Sequence, residues 1–82
     1  MSENTINLGF IKNRRMELKL TLADMAKALG FASGANYYKY ESGSYKFTAN
    51  MLPILASVLK CKIDDFFTSI IAKIEIYGNT SN

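Results

Sequence analysis

Two short stretches of helical periodicity lie back to back between Thr21 and Gly43, each opened by a hydroxyl side chain and closed by a glycine. In the first, Thr21 precedes Leu22, Met25, Ala26 and Leu29, with Asp24 at the third position after the threonine. This is a capping-box pattern: the hydroxyl takes a free N–H of the first turn and the acid reaches back to the cap. Gly30 ends the stretch, as a residue that tolerates the left-handed backbone common just past a helix. In the second, Ser33 is the expected N-cap of a helix running to about Ser42, stopped by Gly43. Tyr37, Tyr40 and Glu41 share its inner face at spacing i, i+3, i+4. The connection through Phe31-Ala32 is too short for the helices to separate, and small Ala26 lets them approach closely. The punctuation therefore reads as two short helices joined by a sharp turn.

The flanking segments follow the same period. Leu8, Ile11 and Leu18 mark a first helix, with Arg15 standing where the stripe expects an apolar residue. Residues 44–49 read as a loop. Asn50 is an expected cap for a fourth helix, Met51 to Leu59, with Pro53 in its first turn and Leu52, Leu55, Ala56 and Leu59 on its inner face. After the link Lys60-Cys61-Lys62, the positions Ile63, Phe66, Phe67, Ile70, Ile71, Ile74 and Tyr77 form a wide helical stripe. A fifth helix is expected to about Ala72. Ile74 and Ile76 alternate with Lys73 and Glu75, which reads equally as a short strand. The expected fold is all-α: a five-helix bundle with a C-terminal helix or short strand extension. The expected organisation is a flexible N-terminus over 1–7, a domain over 8–67, an extension over 68–77 and a polar tail over 78–82.

With 82 residues the chain holds one small domain. It has no histidine and a single cysteine, Cys61. That removes internal disulfides, Cys/His zinc sites and nucleophile–histidine pairs. Cys61 is read as a small buried apolar residue between the fourth and fifth helices, with a redox switch as the alternative. Asp64 and Asp65 are adjacent and point about 100° apart on a helix, so they read as first-turn acids and not as a catalytic pair. No glycine-rich phosphate loop is present. No enzyme activity, metal or cofactor is expected. No signal-peptide pattern opens the chain, and charged residues break Ile63–Tyr77, the longest apolar-leaning stretch. A soluble, cytoplasmic protein without membrane partners is expected. The net charge of +3 is uneven: nine of the ten Lys/Arg and four of the seven acids lie in residues 1–62. A basic front of this kind suits a polyanionic partner.

Arg15, Leu20-Thr21, Ala26, Gly30, Tyr40-Glu41-Ser42-Gly43, Leu52-Pro53-Ile54-Leu55-Ala56 and Ile63-Asp64-Asp65-Phe66-Phe67 stand in a recognisable order and spacing. Over roughly residues 8–67 the chain resembles the phage repressor/Cro-type (XRE-like) helix-turn-helix family. It departs from that pattern at two places. Leu22 occupies the position after the helix 2 cap where the family usually carries a DNA-contacting glutamine, and Gly30 to Gly43 is one residue longer than the commonest version.

The resemblance implies a transcriptional regulator that binds double-stranded DNA, with the helix over Ser33–Ser42 in the major groove, as a homodimer on a palindromic operator. Helical geometry and the resemblance agree on the outward face: Ser33, Gly34, Ala35, Asn36, Tyr38 and Lys39 are the expected base-contacting residues. Asn36 suits adenine, Lys39 guanine and Ala35 a thymine methyl. The bland alternative for these residues is a solvated helix face. Lys12, Arg14, Ser44, Tyr45 and Lys46 are the expected phosphate contacts, with ordinary surface cations as the alternative for the lysines. Backbone N–H groups at the start of the second helix would add to them. The cluster Tyr37, Tyr38, Tyr40 and Tyr45 admits stacking on single-stranded bases, but Tyr37 and Tyr40 fall on the core face. Arg15 and Glu41 are charges on inner faces, which need each other, and the resemblance pairs them too. Ile70, Ile71, Ile74, Ile76 and Tyr77 are the expected dimer interface, with folding back onto their own domain as the alternative. A rival from another class is a scaffold of the same shape that binds a protein partner and no DNA.

Overall fold

The computed structural model describes residues 6–67, and these form four α-helices and two short 3-10 segments, with no strand among the described residues. Helix α1 runs Leu8–Glu17, α2 Leu22–Leu29, α3 Gly34–Glu41 and α4 Leu52–Val58. Tertiary contact is densest between α2 and α3, and α4 packs against α2. The core consists of Ile11, Met25, Ala26, Tyr37, Phe47, Leu55, Ala56, Leu59 and Phe66, with Glu41 the sole charged residue buried among the described residues.

The local signals that frame α2 and α3 act as the sequence implies. Thr21 Oγ1 accepts from the Asp24 N–H at 3.0 Å, and an Asp24 carboxylate oxygen accepts from the Thr21 N–H at 2.9 Å. Gly30 adopts φ 81°, and its neighbour Phe31 donates back to the Ala26 carbonyl at 2.8 Å, which closes the end of α2. Ser33 caps α3 by accepting from the Asn36 N–H at 3.3 Å, and Gly43 leaves the helix at φ 94°.

Elsewhere the structure departs from expectation. Asn50 caps nothing: Ala49–Met51 is a 3-10 turn that runs directly into α4, and neither Thr48 nor Met51 makes a side-chain capping bond. Pro53 still sits in the first turn of α4, where a missing N–H is harmless. Ile6 and Asn7, expected in the flexible N-terminus, belong to the domain. Asn7 accepts from the Phe10 N–H at 3.0 Å through its side chain and donates its own N–H to the Phe66 carbonyl at 2.8 Å. Of the expected fifth helix, Ile63–Phe67 is 3-10, started by Asp65, whose carboxylate accepts from the Lys62 N–H at 2.9 Å. The expected continuation to Ala72, the choice of helix or strand over 72–77, the expected interface residues Ile70, Ile71, Ile74, Ile76 and Tyr77, and the expected polar tail lie outside the described residues. Among those described, no helix is long and apolar enough to cross a membrane.

Candidate nucleic-acid interface

Helix α3 divides cleanly into two faces. Tyr37 and Glu41 are buried and Tyr40 is half-buried, whereas Ala35, Asn36, Tyr38, Lys39 and Ser42 are exposed. The inner face is fixed by a buried ion pair. Arg15 on α1 meets the Glu41 carboxylate with both forks of its guanidinium, Nε to Oε2 at 2.8 Å and Nη2 to Oε1 at 2.9 Å. Its third nitrogen, Nη1, donates to the Leu20 carbonyl at 3.0 Å. The Tyr37 hydroxyl donates to Glu41 Oε2 at 2.9 Å. The side chains of Arg15 and Glu41 are 12% and 2% exposed, so the pair is nearly dry, and every buried side-chain polar atom among the described residues has a partner. The hydrogen bonds that Arg15 donates to Glu41 raise its pKa above the ordinary value. Burial, reinforced by the Glu41 charge, pushes the Tyr37 hydroxyl well above the usual tyrosine range. The network ties α3 to α1 and to the chain just before α2. Sequence reasoning placed Tyr37 in the core and missed its hydroxyl's role.

The outward face carries Asn36 and Lys39 with Ala35 near the N-terminal end, and Ser33 is exposed at the cap. Gly34 does not share that orientation. A Cβ there would lie 3.0 Å from the Ala23 nitrogen and 3.1 Å from Leu22 Cβ, so Gly34 is the point where the N-termini of α2 and α3 touch. A side chain at Gly34 would thus face α2, and the expectation that this position points outward is not met. Leu22 is half-buried and packs on the core. The residue that replaces the usual glutamine is thus part of the same close contact.

Three expected phosphate contacts, Arg14, Tyr45 and Ser44, have partners within the protein, Ser44 Oγ lying 3.4 Å from Ser42 Oγ. Arg14 donates from Nε to the Leu59 carbonyl at 2.8 Å and from Nη2 to the Lys60 carbonyl at 3.1 Å, while Nη1 pairs with Glu17 at 3.2 Å. It closes the C-terminal end of α4, whose carbonyls lack helical partners. Arg14 thus acts as a structural cap within the domain. The Tyr45 ring packs edge-on against Tyr40 and lies under Lys39 Nζ at 5.5 Å. Lys12, Ser44 and Lys46 are exposed; Lys12 and Lys46 have no ion-pair partner among the described residues. At α2, the capping box already uses the N–H groups of Thr21 and Asp24, and the Thr21 bonds hold the Asp24 carboxyl below its ordinary pKa. Phe47, in the expected loop over 44–49, is buried against Tyr37 and Tyr40. Cys61 is half-buried, and burial followed by the nearby Asp65 charge raises its thiol pKa against an opposing effect of Arg14.

The helix-turn-helix family of the XRE (Cro/C1) type matches residues 11–66. No curated protein and no solved structure matches the chain.

Proposed function

The chain belongs to the XRE-type helix-turn-helix family of DNA-binding transcriptional regulators, a non-enzymatic family, and from that premise we propose that it reads a specific duplex sequence through the exposed face of α3. The observation that carries the reading is the division of α3. One side is locked to α1 by Arg15 and Glu41, and the other presents Asn36 and Lys39 to solvent at the end of a rigid two-helix unit. A helix held in that way can enter a major groove without rearranging. Asn36 has the paired donor and acceptor that adenine offers, Lys39 reaches the acceptor edge of guanine, and Ala35 meets a thymine methyl. Ser33 and Tyr38 flank these contacts. Lys12, Ser44 and Lys46 supply phosphate contacts that set orientation without reading sequence. The protein acts as a homodimer joined through Ile70, Ile71, Ile74, Ile76 and Tyr77, so that two α3 helices stand ~34 Å apart on successive major grooves of a palindromic site.

Selection of bound duplexes from a random pool tests the reading directly. Binding to the selected site should weaken with salt at a log–log slope on the order of −4 to −8. Alanine at Asn36 or Lys39 should cost ~1–3 kcal/mol and relax preference at particular base pairs, while Lys46→Ala weakens all sequences alike. Absence of duplex binding at low salt refutes the proposal and leaves the protein-partner reading. Sedimentation as a monomer at tens of micromolar (~, weak interfaces) refutes the dimer.

A further inference from the structure

Lysine is a poor reader of base edges when its long stem is free, because the ammonium serves any anionic oxygen within reach. Lys39 is not free in this respect. Its Nζ sits 5.5 Å from the centroid of the Tyr45 ring, within the range of a cation–π contact. Tyr45 is 50% exposed, and it is held by its backbone and by one edge of its ring. The Tyr45 N–H donates to the Lys39 carbonyl at 2.9 Å, which folds the loop back under the end of α3. The ring packs edge-on against Tyr40 at 5.4 Å and 76°. Tyr40 is stacked on Phe31 at 4.8 Å and 14°, and its ring also meets Phe47 at 5.6 Å. A ladder of rings thus runs from the turn before α3, across its inner edge, to the loop behind it, and ends beneath the Lys39 ammonium.

We propose that Tyr45 is a positioning residue for sequence reading: its ring holds the Lys39 ammonium at one place over the C-terminal part of α3, so that lysine discriminates among base edges instead of roaming among phosphates. This rests on α3 being the duplex-reading helix. The ring occupies one side of the ammonium and leaves its N–H donors free on the other, which suits the paired acceptors O6 and N7 of guanine. Without the ring Lys39 keeps its charge and its attraction to the backbone, and loses the restriction that distinguishes one base pair from another.

The test uses the intact chain, its selected duplex, and the variants Tyr45→Phe, Tyr45→Leu, Lys39→Ala and the double variant Lys39→Ala/Tyr45→Leu. In the free protein, the Lys39 ε-methylene protons should show an upfield ring-current shift in the NMR spectrum, retained in Tyr45→Phe and lost in Tyr45→Leu. On DNA, Tyr45→Leu should lose about 2- to 5-fold of the discrimination at the base pair that Lys39→Ala affects, the size of an exposed cation–π contact. The salt slope should stay the same, Tyr45→Phe should restore the preference, and the double variant should discriminate no worse than Lys39→Ala. Circular dichroism melts identify any variant that fails to fold, in which case Tyr45→Phe and the ring-current shift decide. Uniform weakening of all sequences with a shallower salt slope in Tyr45→Leu overturns the inference, as does an absent ring-current shift or additive effects in the double variant. If wild type binds no duplex at all, the reading of α3 fails first and the inference falls with it.

Discussion

Glu41→Leu removes one half of the buried ion pair and leaves Arg15, 12% exposed, without its counter-charge. Breaking such a pair from one side costs about 3–5 kcal/mol, because the surviving charge is stranded. For a domain of this size total stability is on the order of 4–12 kcal/mol, so the single variant should be close to unfolding. At about 4–8 °C per kcal/mol its Tm should fall by more than ~12 °C. Arg15→Met alone should behave similarly, since it strands the carboxylate among Tyr37 and apolar neighbours. The double variant Arg15→Met/Glu41→Leu removes both charges and leaves two neutral groups, the Leu20 carbonyl and the Tyr37 hydroxyl, without their partners. Each single variant already leaves one of these groups unpaired beside its stranded charge, so the double variant exchanges that charge for one further neutral group, at roughly 1–3 kcal/mol if water does not reach it, and should be milder than either single one. Adding Tyr37→Phe should recover part of the remainder. Urea or thermal unfolding of all four variants gives the coupling directly. Single variants within ~0.5 kcal/mol of wild type, or a double variant as costly as the two singles together, would refute this account.

Burial and Glu41 raise the Tyr37 pKa in the folded state above its ordinary value of 10.0, so stability is fully present below about pH 10 and declines as pH rises beyond it, with a limiting slope of about 1.4 kcal/mol per pH unit; Tyr37→Phe should flatten that decline in alkaline melts. Gly34→Ala places a Cβ 3.0 Å from the Ala23 backbone nitrogen, so overpacking should cost about 1–3 kcal/mol in unfolding experiments. Arg14→Ala should lower the Tm by loss of the α4 cap while leaving the salt slope of DNA binding unchanged; a shallower slope would return Arg14 to the phosphates. Thr21→Ala should cost about 1 kcal/mol through loss of the α2 cap, read as a Tm decrease of several degrees.

The parts of the fold that were legible in sequence are those set by neighbours along the chain. Thr21 with Asp24, Gly30, Ser33 and Gly43 state helix ends locally, and no distant residue is needed to interpret them. Arg15 and Glu41 were legible for another reason: each violates an apolar stripe, and a charge on an inner face needs a partner. What sequence could not reveal depends on where the chain returns. Arg14 reads as a surface cation until α4 brings the Leu59 carbonyl to it from 45 positions away. Phe47 sits alone in a polar stretch, with no periodic companion to mark it as core. Gly34 reads as an outward residue at the tip of the third helix, and its closeness to Leu22 and Ala23 is a property of helix crossing. Asn50 had the right chemistry for a cap, but the 3-10 turn over Ala49–Met51 takes its place. For the interface, the outward face of α3 followed from angular geometry, whereas the Tyr45 contact with Lys39 required the course of the loop after Gly43.

The bond from the Asn7 N–H to the Phe66 carbonyl, with the Phe10 ring edge-on to Phe66 at 6.1 Å, joins the two ends of the domain. The described chain is therefore a closed circuit, and its entry and exit share one edge. Ile6 and Phe67, the first and last described residues, both lie beside this joint and both pack against the core. A short bridge joining residues 6 and 67 should therefore close the described backbone into a ring without disturbing the domain's contacts.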